Sequence, residues 1–127
     1  MIIGTGIDLV EISRVQEMLM RWGDRFLHRV FTPSEIAYAK KKKDQHIFLS
    51  ARFAAKEAAL KALGIGLQMG VHFREIETTH DPLGKPVMTF LGKAQQIAHA
   101  QKVSAIFVSL SHEGDYAIAQ VLLTGTP

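Results

Sequence analysis

Ile47-Phe48-Leu49-Ser50-Ala51-Arg52-Phe53-Ala54-Ala55-Lys56-Glu57-Ala58-Ala59-Leu60-Lys61-Ala62-Leu63 is the stretch on which the reading of this 127-residue chain turns. Alanine and leucine, the best helix formers, dominate it. A long helix is expected over residues 46–63, and Gly64 is placed to stop it. Its many alanines let neighbouring elements come close. Four charged residues, Arg52, Lys56, Glu57 and Lys61, interrupt this apolar run.

Upstream, Thr32-Pro33-Ser34-Glu35 carries a helix-start signal: a capping hydroxyl, a proline at the first helical position and a glutamate three residues on. That helix should run to the Lys40–Lys43 cluster, whose charges suit a helix C-terminus. Before it, Ile12, Val15, Met18, Leu19 and Trp22 recur at helical spacing, which predicts a helix over 11–22 closed by Gly23. Phe26, Leu27, Val30 and Phe31 suggest a further short helix. Ile2 to Val10 reads as a buried strand containing Gly4 and Gly6.

Downstream, Gly64 to Gly70 is a glycine-rich loop. Ile76–Thr79 and Val87–Phe90 read as strands around the turn His80 to Pro86. Lys93–Gln101 looks helical. Val103–Ser111 and Tyr116–Leu123 form a strand pair with a turn at His112 to Asp115. Helices and antiparallel hairpins mix in this order, so the fold class is α+β, a long alanine-rich helix packed with a small antiparallel sheet. No linker or repeat divides the chain, and residues 1–127 are read as one domain.

The chain has no cysteine, which excludes disulfides, thiolate metal sites and a cysteine nucleophile. No basic-then-apolar signal peptide and no membrane-length apolar run is visible, so a soluble, cytoplasmic protein without a membrane partner is expected. The net charge of +3 is uneven. Residues 1–61 hold eleven Lys/Arg against seven Asp/Glu, a balance of +4; residues 62–127 hold four against five, a balance of −1. The basic half suits an acidic partner, or is a solvated face. Aromatics do not interleave with it as in RNA-binding motifs, so nucleic acid is not expected.

Candidates for chemistry follow from type and context. Asp8 is a carboxylate in an apolar run, costly unless paired or bound to a metal; a capping role ahead of the next helix is the alternative. Glu57 sits mid-helix, one turn from Lys61. Two separated carboxylates are what Mg²⁺ uses, with waters and substrate phosphates completing its shell. A surface pair between Glu57 and Lys61 is the alternative. Arg52, Lys56 and Lys61 supply cations that suit phosphate. Ser109-Leu110-Ser111-His112 is a polar cluster closing an apolar strand, either a ligand site or a polar turn. Gly4-x-Gly6 lacks the third glycine of a dinucleotide fingerprint, and no nucleophile elbow exists.

Together, Gly6-Ile7-Asp8-Leu9-Val10-Glu11 with Arg14, Phe31-Thr32-Pro33-Ser34-Glu35, Arg52-Phe53-Ala54-Ala55-Lys56-Glu57-Ala58, and the tail Val108 to His112 with Tyr116 to Ala119 closely resemble the holo-acyl-carrier-protein synthase family. These are the short bacterial 4′-phosphopantetheinyl transferases. The resemblance covers essentially the whole chain. It implies transfer of 4′-phosphopantetheine from coenzyme A to a serine of acyl carrier protein, a step of fatty acid biosynthesis. It implies Mg²⁺ as cofactor, held by Asp8 and Glu57. Asp8, Glu57 and Lys61 are then the catalytic set, and Arg52, Lys61, Ser111 and His112 lie near the coenzyme A phosphates. It also implies a homotrimer with active sites between subunits. A metal-dependent nucleotide phosphohydrolase and a basic RNA-binding module are the competing readings.

The acidic carrier protein is expected on the first helix. Arg14, Glu17, Arg21 and Arg25 share one face if helical geometry continues through Gly23, and Met18 lies beside them. Ile12, Val15, Leu19 and Trp22 should face the core. A solvated helix face is the alternative.

Overall fold

The computed structural model describes residues 1–126. In chain order these form β1 (Ile2–Glu11), α1 (Ile12–Trp22), α2 (Asp24–Val30), α3 (Pro33–Lys40), α4 (Gln45–Leu63), β2 (Ile76–His80), β3 (Pro86–Phe90), α5 (Gly92–Ala100), β4 (Val103–Glu113) and β5 (Tyr116–Gly125). β5 lies between β1 and β4 in a three-stranded antiparallel sheet, and β2 and β3 make a separate hairpin. The α+β expectation holds, with the long helix α4 laid across the inner face of the main sheet. Among the described residues no helix is long and apolar enough to cross a membrane.

The meeting of β1 and α4 explains two glycines. A Cβ on Gly4 would collide with the Ala62 carbonyl oxygen, and one on Gly6 with that of Ala58. Strand backbone therefore rests on helix backbone, which only glycine facing alanine allows. Leu49, Ala54, Ala55, Ala58 and Ala59 on the helix, with Ala119, Val121 and Leu123 on β5, are buried in this layer.

The predicted capping box forms: the Thr32 hydroxyl accepts from the Glu35 amide at 3.3 Å, and Glu35 Oε1 accepts from the Thr32 amide at 2.9 Å. Glu35 does more than cap. It also receives Lys56 Nζ at 2.8 Å, and both side chains are fully buried. Lys56, which also donates to the Phe73 and Ile76 carbonyls, therefore has no donor left for a phosphate, contrary to expectation.

Three other expectations change. β1 is buried on one face only: Ile7, Leu9 and Phe107 lie on the opposite face of the sheet and are 56%, 59% and 51% exposed. The helix over α1 does not continue through Gly23, whose φ of 52° and ψ of −126° break it, so Arg25 belongs to α2. Trp22, expected in the core, is 50% exposed because the helix breaks at Gly23 directly after it, leaving its ring at the surface beside the Arg21 and Arg25 guanidinium groups.

Candidate active site

β1 brings Asp8 to the inner face of the sheet, beside the side of α4 that carries Glu57 and Lys61. Long helical side chains lean toward the helix N-terminus. Lys61 accordingly reaches back, donating to Asp8 Oδ1 at 2.9 Å and to the Ile7 carbonyl at 3.0 Å. Asp8 is thus neither a cap nor an orphan, and Lys61 forms its ion pair across the layer, with Asp8 and not with Glu57. Glu57 is half-buried. Burial and then the Asp8 charge push its carboxyl above the usual range, against the opposing pull of Lys61 and Arg14. Two carboxylates, one ammonium and a nearby guanidinium therefore share one solvent-reachable place. Its oxygen donors are hard, few and open on one side. Among the described residues no group of three or more metal-binding side chains exists, so any cation held here relies on water or substrate oxygens as well.

Arg52, Ser111 and His112 lie elsewhere. Arg52 and Lys61 are nine residues apart on α4, which at 3.6 residues per turn sets them about 180° apart around the axis. Arg52 and His112 line a cavity of about 300 Å³ with Lys42 and Lys43. A neighbouring cavity of about 210 Å³ adds Ser111, His80, Gly84 and Pro86. The structure brings the sequence candidates together as two groups, Asp8–Glu57–Lys61 and Arg52–Ser111–His112, and does not bring one group to the other. Lys42, Lys43 and His80 were not singled out. In sequence the lysine run carries only a helix-terminus signal, and no signal marks His80.

On the α1–α2 side, Arg14 and Arg21 are exposed and Met18 is half-buried. Met18, Trp22, Arg25, Phe26 and Arg29 line a groove of about 460 Å³. The Arg21 and Arg25 guanidinium carbons each lie 5.9 Å from the centroid of the Trp22 ring.

Residues 4–121 match the sequence model of the 4′-phosphopantetheinyl transferase superfamily. The chain belongs to that family. The holo-[acyl-carrier-protein] synthase of Syntrophus aciditrophicus is 47% identical over 125 residues, covering 98% of each chain. The holo-[acyl-carrier-protein] synthase of Neisseria meningitidis has a solved structure that superposes with a TM-score of 0.88 at 36% identity, covering 98% of this chain and 99% of that one. That of Helicobacter pylori, solved in complex with coenzyme A, gives a TM-score of 0.83 at 31% identity, covering 94% of this chain and 99% of its own.

Proposed function

We propose that this chain, acting over residues 1–127 as one domain, is a holo-acyl-carrier-protein synthase. It transfers 4′-phosphopantetheine from coenzyme A to a serine of apo acyl carrier protein and releases adenosine 3′,5′-bisphosphate. The observation that carries the reading is the Asp8–Lys61 pair beside Glu57 in a chain 47% identical, over nearly all its length, to a named synthase of this kind. The direct test is to mix the protein with coenzyme A, Mg²⁺ and an apo carrier protein and weigh the carrier. A gain of one phosphopantetheine is expected; release of nucleotide with no change in carrier mass would overturn the reading.

Asp8 and Glu57 fit Mg²⁺: both are anionic oxygen donors, and Lys61 offsets only one of the two charges. When bound, the ion supplies neutralisation of the pyrophosphate charge. The rest falls to the chain's own groups. The serine oxygen attacks the phosphorus that bears the pantetheine arm, and the bond from that phosphorus to the nucleotide-side oxygen breaks. Glu57, or a water it orients, takes the serine proton; burial and the Asp8 charge raise its proton affinity. Lys61 has three donors and spends two on Asp8 and Ile7, leaving one for an oxygen on the leaving side.

Arg52, Ser111, His112 and the newly located Lys42 and Lys43 are assigned to the nucleotide end of coenzyme A. They diverge from Lys61 within one chain, so a complete site joins two copies. The uncovered sheet face with Ile7, Leu9 and Phe107 offers the apolar surface for that contact, and a homotrimer is the assembly proposed. Activity should then fall on dilution below the assembly's dissociation constant. A monomer in sedimentation that keeps full activity would reject it. The carrier protein is assigned to Arg14, Met18, Arg21 and Arg25, with the Trp22 groove as an apolar seat among the arginines. The reaction is placed in the cytoplasm, which cell fractionation tests.

A further inference from the structure

We propose that His80 is a positioning residue of the nucleotide cavity: its lone-pair Nε2 accepts a hydrogen bond from Arg52 and so aims the guanidinium at the space shared with Lys42, Lys43 and His112. This rests on the assignment of that cavity to the nucleotide end of coenzyme A.

Arg52 is half-buried, yet among the described residues no carboxylate pairs with it. Its Nε is buried and has no partner. The Phe48 ring lies 3.7 Å from its guanidinium carbon, which fixes the plane of the fork but satisfies no N–H. Its one hydrogen bond is from Nη2 to His80 Nε2. A guanidinium has donors only, so the imidazole nitrogen must be the acceptor and the His80 proton must sit on Nδ1. Burial lowers the Arg52 pKa to about 10, which leaves it cationic at neutral pH. A cation removed from water, held by a neutral acceptor and lacking an anion is arranged to receive one.

His80 is itself held in place. Its ring stacks on Tyr38 at 4.2 Å between centroids and 17° between planes, and Tyr38 stacks on Phe48 at 5.2 Å. The charged and titratable groups around it are Arg52 from α4, Lys42 following α3, Tyr38 within α3, its neighbour Asp81, and His112 of β4, which lines the same cavity. Burial first, then Arg52 and Lys42, hold the imidazole below the usual histidine range, with Asp81 opposing. Once protonated, Nε2 would meet Arg52 as donor against donor, and a third positive charge would crowd the pair. Acidification therefore releases Arg52 from its set orientation.

The test is calorimetric titration with coenzyme A, from about pH 8 to about pH 5, on the wild type, His80→Gln, His80→Lys and Arg52→Gln. Glutamine places an acceptor near the position of Nε2 but does not titrate. His80→Gln should bind within about twofold of wild type at the alkaline end. Because one hydrogen bond is worth about 1 kcal/mol, the wild type should lose up to about fivefold in affinity relative to His80→Gln as His80 becomes protonated toward the acid end. This ratio cancels the titration of the ligand phosphates, which both proteins share. His80→Lys should bind about tenfold more weakly at every pH, with KM for coenzyme A raised and KM for the carrier unchanged. A merely structural role would leave no pH-dependent ratio. Parallel curves for wild type and His80→Gln, or an unaltered His80→Lys, would overturn the proposal while a weakened Arg52→Gln kept the cavity assignment. An unaltered Arg52→Gln would overturn the cavity assignment and the proposal with it.

Discussion

Helix α4 carries two lysines five residues apart, each paired to a carboxylate at nearly the same distance, and the two pairs do opposite things. Lys56 meets Glu35 at 2.8 Å with both side chains fully buried. Lys61 meets Asp8 at 2.9 Å with side-chain exposures of 56% and 17%. The inner pair is saturated. Lys56 spends its donors on Glu35 and on the Phe73 and Ile76 carbonyls, and Glu35 also accepts from the Thr32 and Thr78 amides. The outer pair has a donor and several oxygen lone pairs to spare, with Glu57 beside it. Pair length says nothing about role. What separates the structural pair from the one proposed to work is the unspent hydrogen-bonding capacity and the access of water to it.

The sharpest way to break this comparison is Asp8→Ala. It should lower kcat by about a hundredfold or more, as expected when a main electrostatic element of a site is removed, while circular dichroism and the melting curve stay close to wild type. Chelating the divalent cation from the wild-type assay should have the same effect. Turnover near wild type in either experiment would place the working pair elsewhere. Lys56→Met tests the other pair: stranding Glu35 in the core should cost about 3–5 kcal/mol in urea denaturation. Stability within about 1 kcal/mol of wild type would show that the inner pair is not the fold's fastening.

Arg14 and Arg21 extend the series to cations with no ion-pair partner among the described residues. Arg14→Glu combined with Arg21→Glu should raise the carrier KM about tenfold, since each reversal exchanges attraction for repulsion of order 1 kcal/mol. The KM for coenzyme A should hardly move, and the carrier KM of the wild type should climb with salt as the double variant's does not. An equal rise for both substrates would remove α1 as the docking face. The smallest effect is on stability in Lys61→Met, about 1 kcal/mol, because the Lys61 end of its pair is exposed and water can reach Asp8 once the lysine is gone. Its kcat should nonetheless fall about tenfold or more. A stability loss matching that of Lys56→Met would erase the distinction between the pairs.

Much of this was legible in the chain, and the misses share a cause. Thr32-Pro33-Ser34-Glu35 signals its own cap because every atom involved lies within four residues. The alanine-rich run announces α4 because propensity accumulates over a long segment. Asp8 and Glu57 could be singled out as carboxylates in apolar company, but not as neighbours, since that requires knowing that β1 lies along α4. Lys56 and Lys61 look alike in sequence; only the loop around Phe73 and Ile76, folded over one of them, tells them apart. Trp22 has correct core spacing but stands at the Gly23 break, where its ring meets Arg21 and Arg25 at the surface instead of the core. His80 and Arg52 are 28 residues apart, and nothing local ties them.

The contact of Gly4 and Gly6 with the Ala62 and Ala58 carbonyls has a consequence for how this site tolerates drift. The gap between the strand that bears Asp8 and the helix that bears Glu57 is gauged by main-chain atoms, which substitution elsewhere cannot enlarge or trim. Side chains in the surrounding core can be exchanged, with losses of stability, while the two carboxylates keep their span. The geometry of the proposed catalytic site is thereby insulated from the packing that supports it, and its vulnerability is concentrated in two positions where even one methyl group is too much.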